Sequence, residues 1–459
     1  MALSPYIGNL SFLTHLALHN NSIQGEIPRE FDRLFRLEGL SLFNNSLSGE
    51  IPANLSHCSR LAHLLLENSK LEGKVPLQFV SLSNLKTLYL PSNNLIGGIP
   101  SFLGNLTSLE VIFLSENPLL GGNIPDSLGR LRKLTNLLLN FNNLSGTIPS
   151  SLYNLSSLVY FSLLGNKLYG SLPPNLGLTL PNLKFFQFAE NFFSWSIPVS
   201  LSNASQLNHI ILFQNNFPRK VPVDFGGLQH LQWLSVGINN LGTGEVDDMD
   251  FINSLVNCSE LFILGVGANH FKGTLPQSIT NLSTTLQMLI VSQNQLYGSI
   301  PQGITNLVNL SVLSVEDNQF SGSIPEEIGR LRYLKVMFFF SNQLSGKIPP
   351  SLGNLSALLE LHLHNNRLSG VIPSSLGHLK KLTKLDLSKN DISGTIPVQI
   401  FDLADLSISL NLSQNHLVGS IPRNIGNLKV LSDFLDMSDN YLTGEIPNEI
   451  GDFILNTFT

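Results

Sequence analysis

Charged residues, tryptophan and long apolar runs are scarce in this 459-residue chain. Asp, Glu, Lys and Arg make up 13% of the sequence, against about 25% in a typical globular domain. The net charge of −6 argues against a nucleic-acid partner, which would require a basic surface. No run of about 18 or more apolar residues occurs, so the sequence predicts no transmembrane helix.

Catalytic motifs are missing as well. The triplet at 224–226, Asp-Phe-Gly, matches the magnesium-binding triplet of protein kinases, but no H-R-D sequence or glycine-rich loop accompanies it. Neither H-E-x-x-H nor G-x-x-x-x-G-K-[ST] occurs. The sequence therefore predicts no enzymatic activity, no cofactor and no metal site in this chain.

An acidic cluster is formed by Glu245, Asp247, Asp248 and Asp250. Its spacing does not match a calcium-binding loop. We interpret it as the solvated start of a helix, with a cation site as the alternative.

What the chain has instead is one short pattern that recurs along its length. Asn142 follows Leu134, Leu137 and Leu139 in the spacing L-x-x-L-x-L-x-x-N, and Gly146 and Pro149 come after it. The same frame returns in 18 units, usually 24 or 25 residues apart. Its Asn positions are Asn21, Asn45, Asn93, Asn117, Asn142, Asn166, Asn191, Asn215, Asn239, Asn269, Asn294, Asn318, Asn342, Asn366, Asn390, Asn415 and Asn440, with Ser69 in the remaining unit. This period and motif are those of leucine-rich repeats.

Each part of the unit has a physical role. The period of two in L-x-L predicts a short strand whose leucines face inward and which pairs in parallel with the next unit. The Asn side chain has donors and an acceptor that can satisfy backbone groups in the turn after the strand. Ser69 can replace only part of that bonding, so we expect a local irregularity there. The second half of the unit, S-S-L-x-N-L-S-S-L, predicts a short helical or 3-10 turn.

The sequence thus predicts an α/β solenoid, a right-handed leucine-rich-repeat superhelix of about 18 coils of about 24 residues with a parallel inner sheet. Residues 1–459 are expected to form one elongated domain with an atypical long unit at 240–269 and both terminal caps missing. Cys58 and Cys258 occupy inward leucine positions eight units apart, roughly 38 Å at about 4.8 Å per strand. They are expected to be buried and unable to pair.

The fuller motif L-x-x-L-x-L-x-x-N-x-L-x-G-x-I-P resembles the plant-specific class of leucine-rich repeats over essentially the whole chain. The long unit NNLGTGEVDDMDFINSLVNCSEL resembles one in the ectodomains of a subfamily of plant receptor-like kinases, which includes flagellin-, elongation-factor- and bacterial-blight-sensing immune receptors. The resemblance implies a secreted ectodomain on the extracellular side of the plasma membrane, followed in the parent protein by a single membrane span and a cytoplasmic Ser/Thr kinase, in immune or developmental signalling. It also implies peptide or protein capture on the inner face and a co-receptor with a shorter leucine-rich-repeat ectodomain. The alternatives are a receptor-like protein without a kinase and a truncated decoy or scaffold without a ligand.

The outward positions of each strand lie six, four and two residues before the frame Asn, and many hold aromatic residues. Contiguous apolar patches mark interaction sites, and aromatic residues dominate the energetics of interfaces, although strands favour aromatics in any case. The predicted ligand-binding residues are Phe43, Tyr89, Phe113, Tyr160, Phe185, Phe213, Trp233, Phe338 and Phe340.

The same outward positions become polar in two of the later coils. This surface, predicted as a possible co-receptor contact with a mild response to acid, is formed by Glu360, His362, His364, Lys384 and Asp386.

N-x-S/T sequons are frequent, and they favour a secreted glycoprotein. They occur at Asn9, Asn20, Asn44, Asn54, Asn105, Asn143, Asn154, Asn203, Asn257, Asn281, Asn309, Asn354 and Asn411.

Overall fold

The computed structural model describes residues 1–222, 224–452 and 457–458. The chain divides into two compact units, Met1–Pro218 and Arg219–Thr459. Each unit is a stack of coils with the same internal order of a short strand, a turn at the frame Asn, a second extended segment and a short helix. The leucine-rich-repeat solenoid predicted from the sequence is confirmed, and each unit is described separately below.

Within each unit, the first strand of every coil joins a parallel inner sheet. In the first unit its strands are His15–Ala17, Gly39–Ser41, His63–Leu65, Thr87–Tyr89, Val111–Phe113, Asn136–Leu138, Tyr160–Ser162, Phe185–Gln187 and His209–Ile211. In the second they are Trp233–Ser235, Ile263–Gly265, Met288–Ile290, Val312–Ser314, Val336–Phe338, Glu360–His362, Lys384–Asp386, Ser409–Asn411, Phe434–Asp436 and Thr457–Phe458. Neighbouring strands pair with equivalent positions opposite one another, as Tyr160 is opposite Phe185. Side chains at the same frame position therefore lie side by side on adjacent coils.

A second, narrower set of parallel strands follows the frame Asn. Glycine supplies its tight backbone path, as at Gly146 with φ 82°. The strands of the first unit are Gln24–Gly25, Ser46–Glu50, Lys70–Gly73, Asn94–Leu95, Gly97–Gly98, Leu120–Asn123, Asn143–Gly146, Lys167–Gly170 and Phe192–Phe193, and Pro218–Arg219 lies at the unit boundary. Those of the second unit are Asn240–Leu241, Lys272–Thr274, Gln295–Ser299, Gln319–Gly322, Gln343–Lys347, Arg367–Val371, Asp391–Gly394, His416–Gly419 and Tyr441–Leu442.

Short helices on the outer side complete the coils, as predicted. Proline precedes most of them because its fixed φ suits the residue before a helical turn, as Pro149 does for Ser150–Asn154. The 3-10 helices are Pro5–Asn9, Arg29–Arg33, Ala53–His57, Leu77–Ser81, Ser101–Asn105, Asp126–Arg130, Ser150–Asn154, Val199–Asn203, Gln277–Asn281, Gln302–Asn306, Ile328–Arg330, Pro350–Asn354, Ser374–His378, Val398–Asp402, Arg423–Asn427 and Asn448–Asp452. Single α-helical turns replace them at Leu176–Thr179 and Ile252–Leu255. None of the helices described is long and apolar enough to cross a membrane.

The core of each coil is built from the frame leucines. Leu134, Leu137 and Leu139 are fully buried. Cys58 and Cys258 are also fully buried and unpaired, as predicted. Burial raises the pKa of each thiol to about 11. They pack as small apolar residues.

The frame Asn side chains bridge consecutive coils, which confirms their predicted role. The Nδ2 group of Asn166 donates to the carbonyls of Leu139 at 2.9 Å and Leu163 at 3.0 Å, and its Oδ1 accepts from the N–H of Leu144 at 3.1 Å. Ser69 lacks the reach to do this, and its buried Oγ makes no hydrogen bond within the described residues. The predicted irregularity at Ser69 is thus a gap in the side-chain ladder.

The residue before the frame position has a positive φ in each coil. Gly165 has the expected freedom, but Phe141 at φ 50° and Ile238 at φ 52° do not. A β-branched residue is rarely found in this left-handed region. The coil turn is therefore imposed by its hydrogen bonds and core packing, whichever residue occupies it.

The long unit corrects one sequence interpretation. Asp248 is buried instead of solvated. Its carboxylate accepts hydrogen bonds from the N–H groups of Thr243, Gly244 and Lys272 and from the hydroxyl of Thr243. Its neighbour Asp247 is exposed and pairs with Lys220. The extra residues of the long unit fold back on the next coil, and their backbone N–H groups need a hydrogen-bond acceptor there. The solvated-helix interpretation was therefore wrong for Asp248.

Candidate ligand-binding surface

The predicted inner-face aromatics are all half-buried, and each has at least one buried neighbour in the chain. In Phe185–Gln187, for example, Phe186 points into the core while Phe185 and Gln187 lie on the other face. Alternation along a strand places these side chains on the inner sheet surface. The structure brings some of the rings together and leaves others apart.

Three rings form a continuous stack in the first unit. The centroids of Tyr160 and Phe185 are 4.4 Å apart with 13° between their planes, and those of Phe185 and His209 are 4.4 Å apart with 19° between theirs. The in-register strands cause this stacking because they hold equivalent side chains one strand spacing apart, about 4.8 Å. We call Tyr160, Phe185 and His209 the ring stack. His209 was not predicted from the sequence, although it occupies the same outward position as Phe185 and lies opposite it in the parallel register.

A second group combines two rings with two carboxylates. Tyr89 and Phe113 pack edge to face with centroids 4.6 Å apart. The carboxylate of Glu67 lies near the hydroxyl of Tyr89, and burial together with this carboxylate raises the pKa of Tyr89. The pKa of Glu67 is raised by burial and by the nearby Glu116 carboxylate. Glu116 in turn accepts a hydrogen bond from Ser92 at 2.6 Å. This pair of carboxylates was also not predicted, because neither Glu67 nor Glu116 belongs to a recognisable motif in the sequence.

The other predicted aromatics of the first unit lie in separate places. Phe43 stacks on His19 with centroids 4.4 Å apart. Phe213 is half-buried and follows the last inner strand of the unit, His209–Ile211.

In the second unit, Trp233 lies on the first strand with its ring centroid 6.4 Å from that of Phe262. Phe338 and Phe340 belong instead to a cluster with the two predicted histidines. The ring of Phe340 stacks on His364 at 4.5 Å, and Phe338 meets His362 edge-on at 4.9 Å.

The predicted polar surface is more buried than expected. The side chain of His362 is 9% exposed, and those of His364 and Asp386 are 25% and 14% exposed. Burial lowers the pKa of both histidines, and for His362 the nearby Lys384 ammonium lowers it further. Both rings are therefore neutral at neutral pH, and the predicted response to mild acid stays a prediction.

Most sequons lie on exposed positions, and several end the outer helices, as Asn154 does. Asn54 and Asn411 are half-buried. Asn411 lies on the inner sheet, where its Oδ1 accepts from the N–H and the hydroxyl of Ser413. It is the least suited of the thirteen sequons to carry a glycan.

Comparisons with known proteins agree with this architecture. Family profiles described as leucine-rich repeats match more than half of the chain, at 12–34, 36–58, 84–106, 108–131, 133–155, 309–331, 332–392, 356–417, 408–428 and 433–453. The LRR receptor-like serine/threonine-protein kinase EFR of Arabidopsis thaliana is 42% identical over 87 residues, which are 19% of this chain and 8% of that protein. The sequence match thus spans only a small part of the curated relative.

Solved structures match over the full length. The plant peptide hormone receptor RGFR1, in complex with RGF2, superimposes with a TM-score of 0.89 at 35% identity, covering 100% of this chain and 73% of that one. The Arabidopsis receptor kinase HAESA, in complex with the peptide hormone IDA and the co-receptor SERK1, gives a TM-score of 0.83 at 33% identity, covering 99% and 83%. The chain therefore belongs to the leucine-rich-repeat family of plant receptor-kinase ectodomains.

Proposed function

We propose that this chain is the extracellular ligand-recognition region of a plant receptor kinase and that it binds a peptide along its inner sheet. The observation that carries the proposal is the ring stack, whose half-exposed faces lie on the surface that the strands present away from the core. Aromatic rings provide a large contact area at a low cost in side-chain entropy. The peptide-bound state of RGFR1 and HAESA supports the same mode of use here.

The spacing of the strands defines the ligand that fits. The nine inner strands of the first unit span about 38 Å at about 4.8 Å per strand. An extended peptide rises about 3.3 Å per residue, so about 12 residues cover them. The peptide would cross the strands instead of pairing with a sheet edge, and side-chain contacts would therefore supply most of its affinity.

Charge adds a further requirement to the ligand. Glu67 and Glu116 lie close enough for one to raise the pKa of the other, beside the rings of Tyr89 and Phe113. A basic ligand side chain placed there would reduce the repulsion between the carboxylates and could lie against an aromatic face. We propose that the ligand carries a Lys or Arg at this point and an apolar residue at the ring stack.

The test is retention of peptides by the immobilised chain. Peptide fractions from plant extracellular fluid and from bacterial cultures are passed over the parent, a Tyr160→Ala/Phe185→Ala variant and a Tyr169→Ala control. Tyr169 is 54% exposed and lies on the second set of strands, away from the inner sheet. Peptides held by the parent and by Tyr169→Ala, but not by the double variant, support the proposal. Equal retention by all three contradicts it.

The choice between immune and developmental signalling is decided by the source of the retained peptide. We propose an immune role, with a bacterial peptide as ligand, since the long unit resembles that of immune receptors. We also propose that a co-receptor pairs with the polar surface formed by Glu360, His362, His364, Lys384 and Asp386, and that the parent protein continues into a kinase.

Secretion is tested by expressing the chain behind a secretion signal in plant cells, where its gel mobility should increase on deglycosylation.

A further inference from the structure

His362, His364 and Asp386 converge on the inner face of the second unit. His362 and His364 are two residues apart, so alternation along the chain turns both rings to the same side. Asp386 lies on the next strand, directly opposite His362 in the parallel register. One donor atom from each residue lies within 4.8 Å of the other two. Among the residues that the structure describes, no other three histidine, cysteine or acidic donors lie so close.

The hydrogen bonds around this cluster leave one ring nitrogen of His364 unsatisfied. The Nδ1 atom of His364 is buried and makes no hydrogen bond in the described part of the chain. It lies 3.4 Å from Oδ2 of Asp386. The other oxygen of that carboxylate accepts from the N–H of Ser388 at 3.0 Å and from its hydroxyl at 2.7 Å. Ser388 thus fixes the carboxylate and leaves Oδ2 directed at the histidine.

The surroundings hold the two rings in place. Phe340 stacks on His364, and the Nε2 atom of His362 lies 3.2 Å from Oε2 of Glu360. A carboxylate that holds one ring nitrogen while the other faces an ion is the usual outer shell of a metal-bound histidine. Positive charge, which opposes a bound cation, comes from the ammonium groups of Lys384 and Lys389 near the two rings. The alternative is two separate His–carboxylate pairs, His362 with Glu360 and His364 with Asp386, which need no ion. The zinc titration described below distinguishes this alternative from a metal site.

We propose that His362, His364 and Asp386 bind a divalent transition-metal ion, with Zn²⁺ as the best match to two imidazoles and one carboxylate. Donors about 2.0–2.2 Å from Zn²⁺ in tetrahedral geometry lie about 3.4 Å from one another. The three donor atoms lie within 4.8 Å of one another, and small side-chain rotations would bring them to the separation of about 3.4 Å that the ion requires. Three protein ligands leave a coordination position open, and the inner face is its accessible side. A carboxylate or imidazole of a bound protein could occupy it.

The test uses the untagged full chain, stripped of metal with a chelator and titrated with ZnCl₂ by calorimetry. His364→Gln and Asp386→Asn are compared with His416→Gln as the matched control. His416 also faces a carboxylate, Asp391 at 3.7 Å, but both side chains are more than half exposed. Circular dichroism melting curves establish that each variant is folded, and the visible spectrum of added Co²⁺ reports the coordination of the ion.

We expect one Zn²⁺ per chain, with binding weakened by at least about tenfold in His364→Gln and Asp386→Asn, since even the loss of an outer-shell partner typically weakens metal affinity by about 10- to 100-fold. His416→Gln should bind as the parent does. Absence of saturable Zn²⁺ binding by the folded parent overturns the proposal, as does binding that survives both site variants. Because no peptide is present in the titration, the result is independent of the proposed ligand recognition.

Discussion

Replacing Phe185 and Phe186 separately by alanine tests the assignment of the inner face within a single strand. Phe186 is fully buried, with its ring 4.2 Å from that of Phe188, and its loss should cost about 3–5 kcal/mol through a core cavity. Phe185 loses two ring contacts at 4.4 Å, each worth about 0.5–1.5 kcal/mol. Because that ring is half exposed, we expect a total of about 1–2 kcal/mol.

The assay is thermal unfolding followed by circular dichroism. Unfolding entropy of about 2.1 cal/mol/K per residue gives about 1 kcal/mol/K for a chain of this length. If all coils unfold together, the midpoint should therefore fall by about 3–5 °C in Phe186→Ala and by about 1–2 °C in Phe185→Ala. If the first unit unfolds alone, both shifts grow and their order is kept.

Relative to the stability that each substitution costs, Phe185→Ala should weaken the binding of a retained peptide more than Phe186→Ala does. Phe185→Ala should weaken it by about five- to thirtyfold, which corresponds to about 1–2 kcal/mol for an interface anchor. Equal destabilisation by the two substitutions would show that Phe185 packs inside and that the inner-face assignment is wrong. A Phe185→Ala chain that melts as expected but binds as the parent does would leave the fold intact and refute the role of the ring stack.

Four further predictions concern stability and reactivity. Ser69→Asn should raise the melting midpoint by completing the Asn ladder, at about 1 kcal/mol for a recovered hydrogen bond; a lower midpoint would contradict this account of the gap. Ile238→Asn should also stabilise, by about 1 kcal/mol, because asparagine tolerates φ 52° better than a β-branched residue does; the reverse result would mean that the isoleucine side chain stabilises the turn. Burial raises the pKa of Glu316 above its ordinary 4.5, so the folded state binds this proton more tightly and loses stability as pH rises from about 4.5 through the folded pKa. Glu316→Gln should then melt higher than the parent at pH 7 and equally below about pH 4, and a pH-independent difference would contradict the assignment. Cys58, with its buried thiol at a pKa of about 11, should react with Ellman's reagent only on unfolding, whereas rapid labelling of the native chain would show that the coil opens locally.

The repeat made much of the fold predictable. The L-x-L strands, the bridging Asn and the short outer helices each depend on residues within one coil and the coil beside it, and neighbouring coils have nearly the same sequence. The gap at Ser69 was predictable for the same reason, since a hydroxyl cannot replace an amide that has both donor and acceptor groups. The positive φ before the frame Asn was not, because residues as different as Phe141 and Ile238 occupy that position.

The sequence by itself determined which side chains face the core and which face the inner surface, because that choice depends only on alternation along a strand. It did not determine which surface residues meet. Parallel strands hold particular residues opposite one another, and packing against neighbouring side chains sets their rotamers. For these reasons His209 joins the ring stack and the three candidate metal donors converge. The same is true of Asp248, whose burial depends on how the long unit folds back toward Lys272. Contacts of this kind join residues 22 to 25 positions apart, and only the tertiary structure brings them together.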